Sequence, residues 1–192
     1  MAVQERSRVT QARVLAAAVD CLVERGWAGT TTIEVASRAG VSRGALLHHY
    51  PTKAALVTAA VEHLAELRGA ELRAEAATLP GGPERFDRVL EMLAAAFTGP
   101  LFAAAIELWV AARTDAELRA ALLPMEARFG RELHRLTVDL LGADERRPGV
   151  REAIQATVDL MRGLGVGALL ADHPGRRAAL LSAWRDHLKG AL

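Results

Sequence analysis

The sequence is poor in cysteine and has no long uncharged apolar run. Cys21 is the single cysteine among 192 residues, so no disulfide can form within one chain, as in a reducing compartment. It lies on the inward face of a predicted helix, where we expect a buried, inert thiol. No run of about 18 uncharged apolar residues is present, and no signal peptide opens the chain. We therefore expect a cytoplasmic protein with no membrane partner.

Sequence motifs of common enzymes and metal sites are also lacking. The chain contains no GxSxG, P-loop, HExxH or CxxC pattern. His48 and His49 are adjacent, but the other histidines are scattered, and His134 has no clustered His, Cys or Asp partners on its helix face. We therefore expect no enzymatic activity, no cofactor and no metal ion.

Charge is nearly balanced over the whole chain but unevenly distributed. The formal net charge is +1, which excludes a protein that binds polyanions through excess positive charge along its whole length. Residues 1–53 hold 7 basic and 4 acidic residues, a net of +3, and the remainder holds 17 against 19, a net of −2. Positive charge is therefore concentrated at the amino-terminal end, where contact with phosphates is possible.

Alanine and leucine dominate the sequence, and no strand-like alternation persists. Apolar residues at steps of three and four predict an all-α protein of about nine helices. Thr114 and Glu117 have the spacing of a capping box that opens the seventh helix, and Pro124 should kink or split that helix. The first predicted helix spans about 9–25, the fourth 53–78, the eighth 150–171 and the ninth 174–189. The fifth is expected to end near residue 97, the sixth near 113, and the seventh before a loop at 142–149.

The stretch TTIEVASRAGVSRGALLHHYPTK, residues 31–53, is the most informative. Thr31 and Glu34 have capping-box spacing, Gly40 permits a sharp turn, and Ser42 can cap a second short helix. Ala45 and Leu46 are expected to face inward on that helix. Two short helices joined by a tight glycine turn form the geometry that enters a DNA major groove.

These residues carry a family resemblance. From RVLAAAVDCLVERGWAGTT through the AGVS turn to GALLHHYPTKAAL, about residues 10–56, the sequence resembles the amino-terminal region of the tetracycline-repressor (TetR) family. The resemblance implies a helix–turn–helix DNA-binding domain over residues 1–52 and a larger helical ligand-binding and dimerisation domain over 53–192. It also implies a repressor that binds a palindromic operator as a homodimer and is released by a small, largely apolar ligand.

The resemblance also assigns roles to single residues. Ser42 and Arg43 would meet base edges, with Gly44 allowing close approach. Leu47 stands where the family usually has tyrosine, so it either touches a thymine methyl or faces the protein. Arg6 and Arg8 form either a basic arm or an ordinary terminus. The DNA-binding residues expected are Thr32, Ser42, Arg43, Gly44, Leu47, His48, His49 and Lys53, with Thr32, His49 and Lys53 at phosphates.

The last two helices resemble a dimer interface. Each carries an apolar stripe, and glycines within the eighth helix would let backbones pack closely. The alternative is that these stripes serve the interior of one chain. In the family, the corresponding helices of two subunits form a four-helix bundle. The interface residues expected are Ile154, Val158, Met161, Gly163, Gly167, Leu180, Leu181, Trp184 and Leu188.

The middle of the chain is where a small molecule is expected to bind. Bulky apolar residues interrupted by a few polar ones describe a ligand pocket, although they equally describe a core. Glu107 either orients a polar or cationic ligand or caps a surface. The pocket residues expected are Met92, Phe102, Ile106, Glu107, Trp109, Met125, Phe129 and Met161.

A second function shares the same amino-terminal module. A constitutive architectural or silencing DNA-binding protein would need no small-molecule effector. Operator affinity that falls on addition of a ligand indicates a ligand-released regulator, whereas binding that no metabolite changes indicates the architectural protein.

Overall fold

The computed structural model describes the backbone of residues 2–82 and 84–192 and the side chains of 8–82 and 84–192. This part of the chain contains nine α-helices and no strand, which confirms the all-α prediction. The helices are α1 (Ala2–Gly29), α2 (Thr32–Ala39), α3 (Arg43–His49), α4 (Lys53–Thr78), α5 (Glu84–Ala96), α6 (Pro100–Ala112), α7 (Ala116–Leu141), α8 (Val150–Ala168) and α9 (Pro174–Ala191).

Most helix bounds lie close to those predicted, and the start of the first helix differs most. The prediction that α1 begins near Val9 is wrong, because the helix begins at Ala2. Gly26 does interrupt it, with φ 65° and ψ −179°, a backbone conformation that essentially only glycine adopts. The breaker after α4 runs from Leu79 to Pro83, and Pro83 lies outside the described residues.

The start of α7 differs from its prediction. The Asp115 carboxylate accepts the backbone N–H of Leu118 at 2.9 Å, whereas the Thr114 hydroxyl is directed back to the Ala111 carbonyl at 3.4 Å. Asp115 is thus the capping residue, and the Thr114–Glu117 capping box is wrong. The helix runs unbroken through Pro124, so the predicted split does not occur.

Residues 1–67 and 103–127 form one compact unit, called here the first unit. Within it α1 packs against α2, and α2 against α3. Leu22, Val35, Leu46 and Leu56 are among its fully buried side chains. The buried thiol of Cys21 confirms the inward position predicted for it. Leu67, predicted to share one face of α4 with Leu56, is exposed, whereas Leu56 is buried.

Residues 68–102 and 128–192 form the second unit. In this unit α8 packs on α5 and α9, and α5 also packs on α9. A buried cluster joins Leu72 and Ala76 of α4 to Met92 of α5 and Leu136 of α7. The two units group residues by packing, and the predicted functional division between residues 52 and 53 stays a prediction.

Length and apolarity together do not allow a membrane crossing by any one helix of the described residues. The bent pair formed by α5 and α6 meets that criterion only when both helices are counted together.

Candidate nucleic-acid interface

The turn between α2 and α3 is fixed by backbone hydrogen bonds and by one arginine. Gly40 adopts a left-handed conformation, φ 62° and ψ 38°, and ends α2. The Val41 N–H donates to the Ala36 carbonyl at 3.0 Å. The guanidinium of Arg13, on α1, donates to the Ala39 carbonyl. A Cβ at position 40 would lie 2.9 Å from that guanidinium, so glycine also makes room for this contact.

Both short helices begin at the capping residues that the sequence predicts. The Thr31 hydroxyl accepts the Glu34 N–H at 3.2 Å, and the Ser42 hydroxyl accepts the Ala45 N–H at 3.2 Å. Each cap satisfies an N–H that a helix start leaves without a partner. The order of α2, turn and α3 therefore follows from local chemistry as well as from packing.

The outward side of α3 carries most of the residues expected to meet DNA. Leu46 is its one buried residue, and Leu47 is half-buried. Ala45 was predicted to face inward, but it is exposed, because this seven-residue helix buries only a narrow stripe. The exposed residues that were predicted as contacts are Ser42, Arg43, Gly44, His48 and His49.

Arg43 is the cation that α3 presents to solvent. Its side chain is exposed and makes no hydrogen bond or ion pair with any residue the structure describes. No atom approaches within 4 Å of a Cβ built at the neighbouring Gly44, so the surface beside Arg43 is open. A guanidinium in this setting is available to bind the edge of a guanine.

Two other arginines of this segment are engaged in an ion-pair network between α1 and α2. Arg38 binds Glu24 at 2.7 Å and Glu34 at 3.0 Å, and Arg25 binds Glu34 at 3.1 Å. The hydrogen bond from Arg38 lowers the pKa of Glu24. Two of the seven basic residues counted in residues 1–53 are therefore directed at carboxylates of the protein itself.

Lys53 and Thr32 occupy positions that differ from the exposed side of α3. Thr32, at the first position of α2, is half-buried. The Lys53 ammonium donates to the Trp27 carbonyl at 2.8 Å and lies 3.8 Å from the centre of the Trp27 ring. Burial lowers the pKa of Lys53, against the smaller opposite effect of the Asp115 carboxylate.

The possible basic arm consists of Arg6 and Arg8. The side chain of Arg6 lies outside the described residues. Arg8 is exposed but lies within α1, which begins at Ala2, so no extended arm precedes the helix at this residue. The expectation that these arginines precede the first helix is wrong for Arg8.

The residues predicted for a ligand pocket fall in both units, four in each. Ile106, Glu107, Trp109 and Met125 belong to the first unit, and Met92, Phe102, Phe129 and Met161 to the second. In the first unit the Trp109 indole N–H donates to Glu126 at 2.7 Å. Glu107 is exposed, and its carboxylate would lie 3.1 Å from a Cβ at Gly26.

In the second unit, the corresponding residues belong to the interior of the chain. Met92, Phe102 and Met161 are buried. The Phe102 ring meets the Phe97 ring edge-on at 5.6 Å. Phe129 is half-buried. Their role in a ligand pocket stays a prediction.

The residues predicted for a dimer interface divide into buried and exposed sets. Ile154, Val158, Met161 and Leu188 are buried within the single chain, because α8 packs on α5 and α9. They therefore support the two helices from within and do not present a surface. The predicted residues left accessible are Gly163, Gly167, Leu180, Leu181 and Trp184.

One structural residue of the helix–turn–helix was not identified from the sequence. Arg13 anchors its turn and does not stand out by spacing, since it is one of many arginines. Gly165, one of three glycines expected to allow close packing of α8, approaches Phe97 of the same chain. Among the described side chains no group of three His, Cys, Asp or Glu lies close enough to hold a metal ion.

Comparison with known proteins places this geometry in a family. The family model for bacterial regulatory proteins of the tetR family matches residues 14–60. The HTH-type transcriptional regulator CymR of Pseudomonas putida is 38% identical over 118 residues, 62% of this chain and 58% of that regulator. The chain thus spans little more than half the length of CymR.

Two further proteins match over more of their length. An HTH-type transcriptional regulator of Mycobacterium tuberculosis is 30% identical over 141 residues, 73% of this chain and 72% of that protein. The solved structure of the multidrug binding protein EbrR, complexed with proflavin, aligns with a TM-score of 0.62 at 22% identity, covering 95% of this chain and 99% of EbrR. Together with the matched helix–turn–helix, these similarities show that the chain belongs to the TetR family of DNA-binding transcriptional regulators.

Proposed function

We propose that this chain is a homodimeric repressor that acts in the cytoplasm, binds a palindromic operator through α3, and is released by a small, largely apolar ligand. The observation that supports the DNA-binding part most strongly is the exposed Arg43 at the start of a doubly capped helix–turn–helix. No catalytic role is proposed for any residue.

The contacts with DNA follow from the outward side of α3. Arg43 would bind a guanine edge bidentately, and Ser42 beside it would meet a neighbouring base. Gly44 would bring the helix backbone close to the groove. Thr32 and His49 would bind phosphates, which set the register of the protein without reading sequence. His48 and the half-buried Leu47 complete the surface, Leu47 through a thymine methyl.

Dimerisation would set the spacing of the two recognition helices. In a two-fold dimer they would lie about 34 Å apart, one turn of B-DNA, which requires a palindromic site. The accessible residues Leu180, Leu181 and Trp184 of α9, with Gly163 and Gly167 of α8, are proposed to meet their counterparts in a second copy.

Release by a ligand would be a shift between two conformations. A ligand in the helices that follow α3 would favour the one in which the recognition helices no longer match successive grooves. The shift cannot exceed the difference in ligand affinity between the two states. The complex of EbrR with proflavin and the Glu126 carboxylate that accepts the Trp109 indole N–H make a planar aromatic cation a sensible first probe.

The experiment that tests the DNA-binding role compares Arg43→Ala with the parent. The operator is first selected from a random DNA pool, and affinities are then measured for it and for variants of each base. Because one bidentate pair contributes about 1–3 kcal/mol of discrimination, Arg43→Ala should relax preference at one position of each half-site by roughly 5- to 150-fold.

A matched control separates this effect from loss of positive charge. Arg135 is exposed, lies on α7 in the second unit and is not among the residues proposed to contact DNA, so Arg135→Ala removes the same type of side chain outside the helix–turn–helix. The control should keep the preference of the parent at every position. An Arg43→Ala protein with an unchanged preference profile contradicts the assignment.

Ligand release is tested with the selected operator and proflavin. Fluorescence anisotropy of labelled operator should fall as proflavin is added to the complex, with no such fall when the protein is omitted. Proflavin also binds DNA, so the titration is repeated with a DNA-binding protein of another fold. An anisotropy that falls equally for both proteins excludes a specific effect.

A further inference from the structure

Lys53 stands apart from the other residues expected at DNA because its ammonium has partners within the protein. It donates to the Trp27 carbonyl at 2.8 Å and lies 3.8 Å from the centre of the Trp27 ring. An ammonium carries three N–H donors and no acceptor. One donor is used by the carbonyl, and the indole ring covers a second side of the cation through its negative face.

The surroundings of Lys53 favour this arrangement over a solvated one. The side chain is half-buried, and burial lowers the pKa of its amine. The Asp115 carboxylate, which caps α7, is the charged group that acts on the amine in the opposite direction. Moving the ammonium outward to a phosphate would give up both the carbonyl and the aromatic ring.

The partner of Lys53 lies at a structural junction of the first unit. Trp27 directly follows Gly26, where α1 is interrupted. The Gly26 carbonyl accepts both the N–H and the hydroxyl of Thr30, at 3.2 and 2.8 Å, which closes the segment leading into α2. Lys53 is the first residue of α4. The contact therefore joins the end of α1 directly to the start of α4.

We infer that Lys53 is a positioning residue, which fastens the end of α1 to the start of α4 and so sets the angle at which α3 meets DNA, and that it does not bind a phosphate. The inference rests on the DNA binding proposed above. It replaces the phosphate role that the family resemblance implies for this position.

The first test needs no substitution at Lys53 and no DNA. Lysine occurs only at positions 53 and 189, so protein labelled with ¹³C and ¹⁵N in lysine gives two sets of side-chain signals, which Lys189→Ala assigns. The Lys53 methylene protons should be shifted upfield by the Trp27 ring, and the amine should titrate below the ordinary value of 10.5. Methylene signals at random-coil positions contradict the contact between Lys53 and Trp27, whether or not the protein binds DNA.

The same sample then tests the role in the complex. On addition of the selected operator, the Lys53 signals should keep their ring-current shift, and the amine should still titrate low. A phosphate would instead raise the pKa of this amine and move it away from the ring. Such a change on binding contradicts the inference even if Lys53 contacts Trp27 in the free protein.

The second test uses the salt dependence of operator binding. Removing a side chain that binds one phosphate reduces the steepness of log K against log salt by about 0.9, or about 1.8 for a dimer. Removing a positioning residue leaves this slope unchanged. Lys53→Ala should therefore bind the operator at least about 10-fold more weakly, lose little affinity for random DNA and keep the slope of the parent.

A double-mutant cycle completes the test. Trp27→Leu removes the ring but keeps the backbone carbonyl, so it should reproduce part of the effect of Lys53→Ala. If Lys53 acts through Trp27, the double variant should be no worse than Lys53→Ala alone. Lys189→Ala, which removes an ion pair with Asp87 in the second unit, is the matched control and should keep the operator affinity and salt slope of the parent. A slope reduced by about 1.8 with equal loss on all sequences, or additive effects of the two substitutions, overturns the inference.

Discussion

Substitution of Gly165 by alanine gives the sharpest test of the packing in the second unit. Gly165 lies inside α8, and a Cβ at this position would lie 2.9 Å from Phe102 Cε1 and 3.1 Å from Phe97 Cβ. It would lie closer still to the Phe97 carbonyl oxygen. Carbon atoms prefer separations of about 3.5–4.0 Å, so α8 or the Phe97 segment must move by roughly 0.5–1 Å.

The expected magnitude combines two opposing effects. Forcing an extra methyl group into a packed interior costs about 1–3 kcal/mol. Alanine also favours the helix over glycine by up to about 1 kcal/mol. Since the contact is with backbone, which cannot rotate away, overpacking should win, leaving a net loss of roughly 1–2 kcal/mol. For a chain of this size, the melting temperature should fall by about 2–8 °C.

The assay is thermal unfolding followed by circular dichroism at 222 nm, at a single protein concentration. Gly163→Ala and Gly167→Ala are matched controls, because a Cβ at either position meets nothing within 4 Å in the chain. Both should leave the monomer fold intact; if these glycines meet a second copy, they should weaken dimerisation, measured by sedimentation. A Gly165→Ala protein that melts at or above the temperature of the parent refutes the reasoning.

Two further predictions concern stability. Thr31→Ala should cost about 1 kcal/mol in the unfolding free energy measured with urea, because the Glu34 N–H loses its cap, whereas Thr31→Ser should restore it. Lys189, and after it Arg185, lowers the pKa of the Asp87 carboxyl, so this carboxylate stabilises the fold above its ordinary pKa of 3.8, and the effect is lost as pH falls through the lowered value. Asp87→Asn should therefore be less stable than the parent at pH 7, and the difference should shrink as the pH falls below 3.8; a constant difference at all pH values contradicts this origin.

Local signals in the sequence predicted the helix caps, the turn and several helix bounds of the helix–turn–helix and α4. The caps at Thr31 and Ser42 and the turn at Gly40 are confirmed, as are both bounds of α4. These features depend on hydrogen bonds between residues close in sequence, which spacing reveals. The start of α1 and the cap of α7 were wrong, since polar residues near a helix start compete and only geometry selects among them.

Features that depend on distant residues were not predictable from one sequence. Gly163, Gly165 and Gly167 look alike in the sequence, yet only Gly165 is covered by Phe97 and Phe102. Lys53 has the residue type and the sequence position expected of a phosphate ligand. Only its distance to Trp27, 26 residues away in sequence, suggests another role. The outward position of Ala45 likewise follows from how few residues α3 buries.

The central claim is that α3 reads a specific DNA sequence, and selection from a random double-stranded pool tests it most directly. The protein is incubated with the pool at moderate salt, and bound DNA is recovered, amplified and sequenced over several rounds. We predict enrichment of one palindromic sequence whose half-sites lie about one helical turn apart. Recovery of sequences no different from the starting pool contradicts the claim.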